Sequence, residues 1–314
     1  MKESDFMKTF KKFTLAIAFF AFTFIFTACS ANSYYNEEKA PEKAYYPVTI
    51  TDSLGEAITI EDEPKSIVTL APNITEIVYA LDLGDKVIGR NAYSDYPEEA
   101  LEVEVIGDFY SLNLERIVEL DPDIVIASTH FEEEMQAKFK EIGVQVITLY
   151  DSTSFDGVYT SIETLGKVFN AQDKAAEVID EIKNQVADVE EKVKNEEKPS
   201  VYYVVGYGQE GDYTATGDTF IHEMLTMAGG ENIAEDVAGW TYSKETLIEK
   251  DPDIVIVKKD FYDDFIASEG YKELSAVKNN KVYTVDDDLL SRPGSRSGLG
   301  VEAIGKILHP ELFK

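Results

Sequence analysis

The residues best suited to hold a bulky ligand are aromatic and scattered along the chain: Tyr93, Phe109, Tyr110, Tyr213 and Trp240. Each stands at or just beyond a predicted strand, or just before a predicted helix. In open α/β sheets, ligands sit in the crevice at those ends. Large planar side chains there suit a large, partly apolar guest, although any one of them would serve equally to cap the core. Trp240, between Gly239 and Thr241, is the one whose setting favours ligand contact. "SRPGSR" (Ser291–Arg296) sets Arg292 and Arg296 around a Pro-Gly turn. They are either surface cations or partners for carboxylate, phosphate or amide oxygens of a ligand. In a chain with 29 Lys+Arg against 60 Asp+Glu, the second reading is preferred.

Other chemistry finds less support. "GYGQEG" (Gly206–Gly211) matches the dinucleotide fingerprint and follows a predicted strand, but "DYTATGDT" continues as loop or strand. The fingerprint needs a helix there, with its N-terminus aimed at a pyrophosphate. His130, His222 and His309 are far apart and lack metal-ligand spacing. "VDDDLL" lacks the glycine and terminal glutamate of a calcium loop, and there is no G-x-S-x-G elbow. The chain reads as a binding protein with no catalytic residues, resident cofactor or metal; the alternative from another class is an enzyme anchored outside the cell.

What must position these residues is a repeated unit. "NLERIVELDPDIVIA" (Asn113–Ala127) lies over "SKETLIEKDPDIVIV" (Ser243–Val257) without a gap, so Glu115 meets Glu245 and Glu119 meets Glu249. Around each copy, helical and strand patterns alternate, which predicts mostly parallel sheets. "VTITDSLGEAITI" predicts a β-hairpin, and "ITEIVYALDLG" a helix closed by Gly84. Between the copies, 157–198 has a helical period and no strand signal, and "FNAQD" marks where it can divide. The expected fold is α/β: two Rossmann-like lobes, 48–156 and 199–314, joined by a long backbone helix, with a ligand cleft between them. The helix is expected to limit lobe motion.

A formal charge of −31 argues against nucleic acid, whose phosphates call for clustered Lys and Arg. It also argues against docking on anionic lipid by charge alone. The N-terminus supplies another route to a membrane. Lys8, Lys11 and Lys12 precede the apolar run "FTLAIAFFAFTFIFTA", and "FTAC" resembles a bacterial lipobox with Phe26 in place of the usual leucine. Residues 1–29 read as a lipoprotein signal peptide, with Cys29 as the lipidation site. Cys29 is the single cysteine, so no internal disulfide can form. Residues 30–47 read as a flexible tether. The mature protein is expected to be exported, monomeric and held by lipid at the outer face of the cytoplasmic membrane.

From "VTITDSLG" to the end, the chain resembles the class III solute-binding proteins of ABC importers, in which a helical backbone joins two lobes. "AYSDYP" (Ala92–Pro97), "NLERIV" (Asn113–Val118), "PDIVIA" and "GGENI" (Gly229–Ile233) occur in the order seen in vitamin B12-binding members. The resemblance implies a corrinoid (vitamin B12 or a cobamide) as ligand, with contacts from Tyr93, Phe109, Tyr213 and Trp240. It also implies contacts from the loop Asp288, Leu289, Leu290, Ser291 and Arg292, with Arg296 at the polar rim. Glu115 and Glu245 match the pair, one per lobe, that docks on the permease, whose ATPase drives import. Ser128 departs from that branch, which has a tryptophan there. "SRPGSR" is similar to a turn of iron-siderophore and haem binders, so a ferric siderophore or haem is the alternative ligand.

Overall fold

The computed structural model describes residues 45–314, apart from His130, Glu132, Asp151, Ser152, Gln209 and Glu210. The proposed signal peptide, Cys29 and most of the tether lie outside the described residues. The flexible stretch expected to reach Pro47 is already attached at Tyr45. The hydroxyls of Tyr45 and Tyr46 donate to the carbonyls of Lys167 and Val168, at 2.7 and 2.8 Å. No helix among the described residues is long and apolar enough to cross a membrane.

The chain opens with an antiparallel hairpin, β1 (Val48–Thr51) and β2 (Ala57–Ile60). The first lobe follows: β3 (Ile67–Thr69), helix α1 (Pro72–Ala80), β4 (Val87–Arg90), α2 (Leu114–Leu120), β5 (Ile124–Ala127), α3 (Glu133–Glu141) and β6 (Val146–Thr148). Its sheet has the order β4-β3-β5-β6 and is parallel throughout. Two backbone helices come next, α4 (Phe155–Val168) and α5 (Gln172–Val193). The second lobe contains β7 (Ser200–Gly206), β8 (Asp212–Thr214), α6 (Phe220–Met227), β9 (Glu231–Asn232), β10 (Thr241–Tyr242), α7 (Lys244–Lys250), β11 (Ile254–Lys258), β12 (Val282–Val285) and α8 (Ser297–Leu308). Its order is β10-β8-β7-β11-β12, with β9 beside β7. The β7-β11-β12 core is parallel, while β8 and β10 run antiparallel to their neighbours.

The repeated "DPDIVI" has a structural reason. Asp121 and Asp251 end α2 and α7 in the left-handed region, at φ 48° and 41°, and a proline then forbids further helix. The second aspartate ties down the neighbouring strand. Asp123 accepts from the amides of Lys65 and Ser66, while Asp253 accepts from the amide and hydroxyl of Ser200, all within 2.7–3.1 Å. In the strands that follow, alternate residues serve two different cores. Ile124 and Ile126, like Ile254 and Ile256, face one large core that also holds Ile162, Leu165, Ile182 and Val189 of the backbone helices. Val125 and Ala127 face an outer core of the first lobe, and Val255 and Val257 an outer core of the second. Burial on both faces explains why "IVI" runs are apolar throughout rather than alternating.

Two local expectations change. Helix α1 ends at Ala80, and the left-handed residue beyond it is Asp82 (φ 59°), not Gly84. Gly84 is small for another reason: a Cβ there would lie 2.4 Å from the Tyr79 ring. The backbone segment is two helices of 14 and 22 residues, parted at "FNAQD" where Asn170 takes φ 52°. It begins at Phe155, with the Ser154 hydroxyl accepting from the amide of Gly157 at 3.1 Å.

Candidate functional site: the cleft between the lobes

Each lobe offers a pair of aromatic rings near the carboxyl edge of its sheet, both exposed in the second lobe and one exposed over a partly buried partner in the first. In the first lobe, Tyr93 lies beyond β4 and is half exposed. Buried Asn91 holds its loop: the Asn91 side chain accepts from the Tyr93 amide at 2.9 Å and donates to the Leu70 carbonyl at 3.0 Å. Phe109 stacks on Tyr93 with centroids 5.7 Å apart and planes 16° from parallel. Its loop is a tight turn in which Asp108 accepts from the amides of Tyr110 and Ser111, at 2.9 and 2.8 Å. Tyr110 itself points into solvent at 87% exposure.

In the second lobe, Tyr213 lies in β8 and Trp240 just before β10, on neighbouring strands joined by the Thr214 amide donating to the Trp240 carbonyl at 2.8 Å. Both rings are exposed. Asp218 fixes the turn before Trp240 by accepting from the Gly239 amide at 3.0 and 3.1 Å. That bond, with another from Thr216, holds the Asp218 carboxyl below the usual range. "GYGQEG" leads into β8 rather than a helix, so no helix N-terminus faces a phosphate there.

The arginine turn reaches across to the first lobe. Glu76 of α1 is fully buried, and it accepts from Arg296 Nε at 2.8 Å, Arg296 Nη2 at 2.6 Å and Arg292 Nη1 at 3.2 Å. Arg292 also meets Asp95 at 2.6 Å and Asp288 at 2.9 Å. The Arg296 guanidinium lies 4.0 Å from the Tyr96 ring centroid. Asn73 donates to the Pro293 carbonyl at 3.3 Å and to Ser128 at 3.2 Å. Burial works against both guanidinium charges, but the bonds from Asp95 and Glu76 outweigh it and raise both pKa values. Asp95 responds oppositely: burial opposes its charge, yet the Arg292 bond pulls its pKa down. Burial raises the Asp288 pKa; Arg292 opposes this and the nearby Asp95 and Asp286 add to it. An open cavity of about 820 Å³ flanks this lattice, lined by Glu76, Tyr79, Asp82, Asp85, Tyr96, Glu99 and Arg296 among others.

The structure thus brings together Arg292, Arg296 and Asp288, but engages them with Glu76 and Asp95 rather than leaving them open as sequence reading suggested. The expected loop at Asp288–Ser291 is a short helix, in which Leu289 is half-buried, Ser291 is exposed and Leu290, turned into the main core, is not available to a ligand. Glu76 and Asp95 escaped the sequence reading. The available signal was a lone carboxylate in the buried run Ile74–Val78 and an aspartate inside "AYSDYP". At the far side of each outer core, Glu115 and Glu245 are exposed in the first turns of α2 and α7, whose Ile117 and Leu247 are buried. The remaining predicted chemistry is quiet. His222 meets Asn232 at 3.2 Å, His309 is buried on the Gly229 carbonyl, and His130 lies outside the described residues. Asp287 accepts from Tyr203 at 2.5 Å and pairs with Lys258 at 2.9 Å. Among the described residues there is no cluster that could hold a metal ion.

Two parallel-sheet lobes around a helical backbone are the architecture of class III periplasmic binding proteins. The periplasmic binding protein family model matches residues 67–289, and the chain belongs to that family. It is 37% identical over 290 residues to an uncharacterized ABC transporter substrate-binding lipoprotein, YvrC, of Bacillus subtilis, covering 88% of this chain and 91% of that one. It is 31% identical over 239 residues to the vitamin B12-binding protein of Vibrio campbellii, covering 74% and 85%. A crystal structure titled as a possible iron-binding (periplasmic solute-binding) protein from Staphylococcus epidermidis superposes with a TM-score of 0.70 at 30% identity, covering 79% of this chain and all of that one. The protein is an ABC transporter substrate-binding protein of that family, whose members are solute-binding proteins rather than enzymes.

Proposed function

We propose that this protein, lipid-anchored through Cys29 outside the cytoplasmic membrane, captures a corrinoid between its lobes and delivers it to an ABC permease and ATPase. The observation that carries this is an exposed aromatic surface on each lobe, Tyr93 backed by the partly buried Phe109 in one and Tyr213 with Trp240 in the other. An exposed tyrosine ring on one lobe and an exposed tyrosine and tryptophan on the other give a flat, partly apolar guest faces to stack on. The vitamin B12-binding relative supports the corrinoid. Leu289 and Ser291, with Asp288, Arg292 and Arg296, would border the ligand, and Glu115 and Glu245 would meet the permease.

Trp240 is the single tryptophan, so its fluorescence reports on the cleft alone. Titration with cyanocobalamin should quench it with a Kd below about 1 μM, or about −8 kcal/mol. Absence of quenching by cyanocobalamin, with quenching by a ferric siderophore or haemin, would replace the corrinoid. The similarity to the Staphylococcus epidermidis protein, a possible iron-binding one, favours an iron-containing ligand as that second reading.

A further inference from the structure

Arg292 and Arg296 follow the short helix Asp288–Ser291 at the proposed ligand border, and an anionic chelate would be expected to seek them. Both are compensated within the protein. The carboxylate of Glu76, with no exposed surface, takes two bonds from Arg296 and one from Arg292, while Asp95 and Asp288 take the rest of Arg292. Three carboxylates therefore surround two guanidiniums. Beside them Asp287 balances Lys258, and Asp286 is exposed. The border of the cleft at this loop carries surplus negative charge, although it contains both arginines of the turn. A ligand carboxylate or catecholate approaching here would be repelled, or would have to displace a buried internal carboxylate, which is unfavourable. Amides and alcohols meet no such penalty, because they can accept from remaining guanidinium N–H groups and donate to the carboxylates.

We infer that Glu76, by holding both arginines across the two lobes, makes the cleft selective for uncharged or cationic ligands over anionic ones. This rests on the reading of the cleft as a metal-chelate site and adds the charge class of the chelate. Glu76 is a positioning residue: it acts through Arg292 and Arg296.

The test compares ligands that differ in charge and share a framework. Affinities of the full soluble domain are measured at low salt for cobinamide, whose side chains are amides, and cobyrinic acid, whose side chains are carboxylates. A second pair is a cationic ferric trihydroxamate and a trianionic ferric tris-catecholate. The anionic member of whichever pair binds should be at least about tenfold weaker, with the gap closing as salt rises. Glu76→Gln releases one positive charge and should shift the ratio toward the anionic member by about tenfold. Asp95→Asn, at a half-exposed site that tolerates change, should shift it the same way by about threefold. A merely structural role for Glu76 would weaken both members equally. Equal binding of the two members, or a ratio unmoved in both variants, overturns the inference while leaving the chelate site standing. Failure of all four chelates to bind overturns both.

Discussion

The two lobes are built from one unit and differ at its border. In both, three parallel strands (β3-β5-β6 and β7-β11-β12) carry the same aspartate ties and the same alternation of residues between inner and outer cores. Beyond that unit they part. The first lobe adds β4 in parallel, and the loop leaving it holds Tyr93 against Phe109. The second adds the antiparallel β8 and β10, whose ends hold Tyr213 and Trp240. A scaffold that buries both faces of its sheet has little freedom, whereas edge strands and loops are only half enclosed and can diverge. The difference teaches that the exposed aromatic rings reside in the additions, while the repeat itself supplies the shared scaffold and two corresponding outer helices.

The contact that joins the unlike borders should be the most sensitive to change. Glu76→Ala removes the buried carboxylate shared by two partly buried guanidiniums, of which Arg292 keeps Asp95 and Asp288, and unfolding free energy should fall by about 3 kcal/mol in a denaturant titration. Next come the aromatic walls. If the second lobe provides the stronger grip, Trp240→Ala should weaken corrinoid binding by about 2 kcal/mol, and Tyr93→Ala by about 1 kcal/mol, both read by calorimetry. Equal losses would make the walls equivalent despite their different origins.

The outer helices test equivalence directly. Their surroundings are not identical: Arg116 beside Glu115 pairs with Glu104 and Glu119, while Glu245 accepts from the Ser243 hydroxyl at 2.9 Å. Glu115→Arg with Glu245→Arg should reduce importer-dependent uptake by at least about tenfold while leaving ligand affinity unchanged. Each single reversal should give a partial loss. A fall in affinity would instead link these helices to the cleft.

The smallest effect concerns the repeated aspartates. Backbone and hydroxyl hydrogen bonds hold the carboxyls of Asp123 and Asp253 below their ordinary values. A depressed folded-state pKa stabilises the fold above the unfolded value, near pH 4, and this is lost as pH falls through the folded value. Asp123→Asn or Asp253→Asn should therefore cost about 0.5 kcal/mol at neutral pH, given the exposure of both groups to solvent screening. The difference from the parent protein should fade as pH falls through and below the ordinary aspartate range in acid titrations of stability.

Much of this molecule was legible in its residues. The repeat, the alternation of strands and helices, the division of the backbone segment at "FNAQD" and the positions of the exposed aromatics all follow from local pattern. Hydrophobic period and left-handed or proline stops act over a few residues, so the sequence carries them openly. The family resemblance extended that reading to the two-lobed architecture. Pairings between distant residues were not legible. Glu76 and Arg296 are separated by 220 positions, and nothing local marks either as the other's partner. Their union arises only when the apolar core shared by both sheets and the backbone helices sets one lobe against the other. Patterning thus determined that two similar halves would form. The packing of those halves decided that the arginines of one would be answered by the acids of the other, because burying a charge is tolerable only beside its opposite.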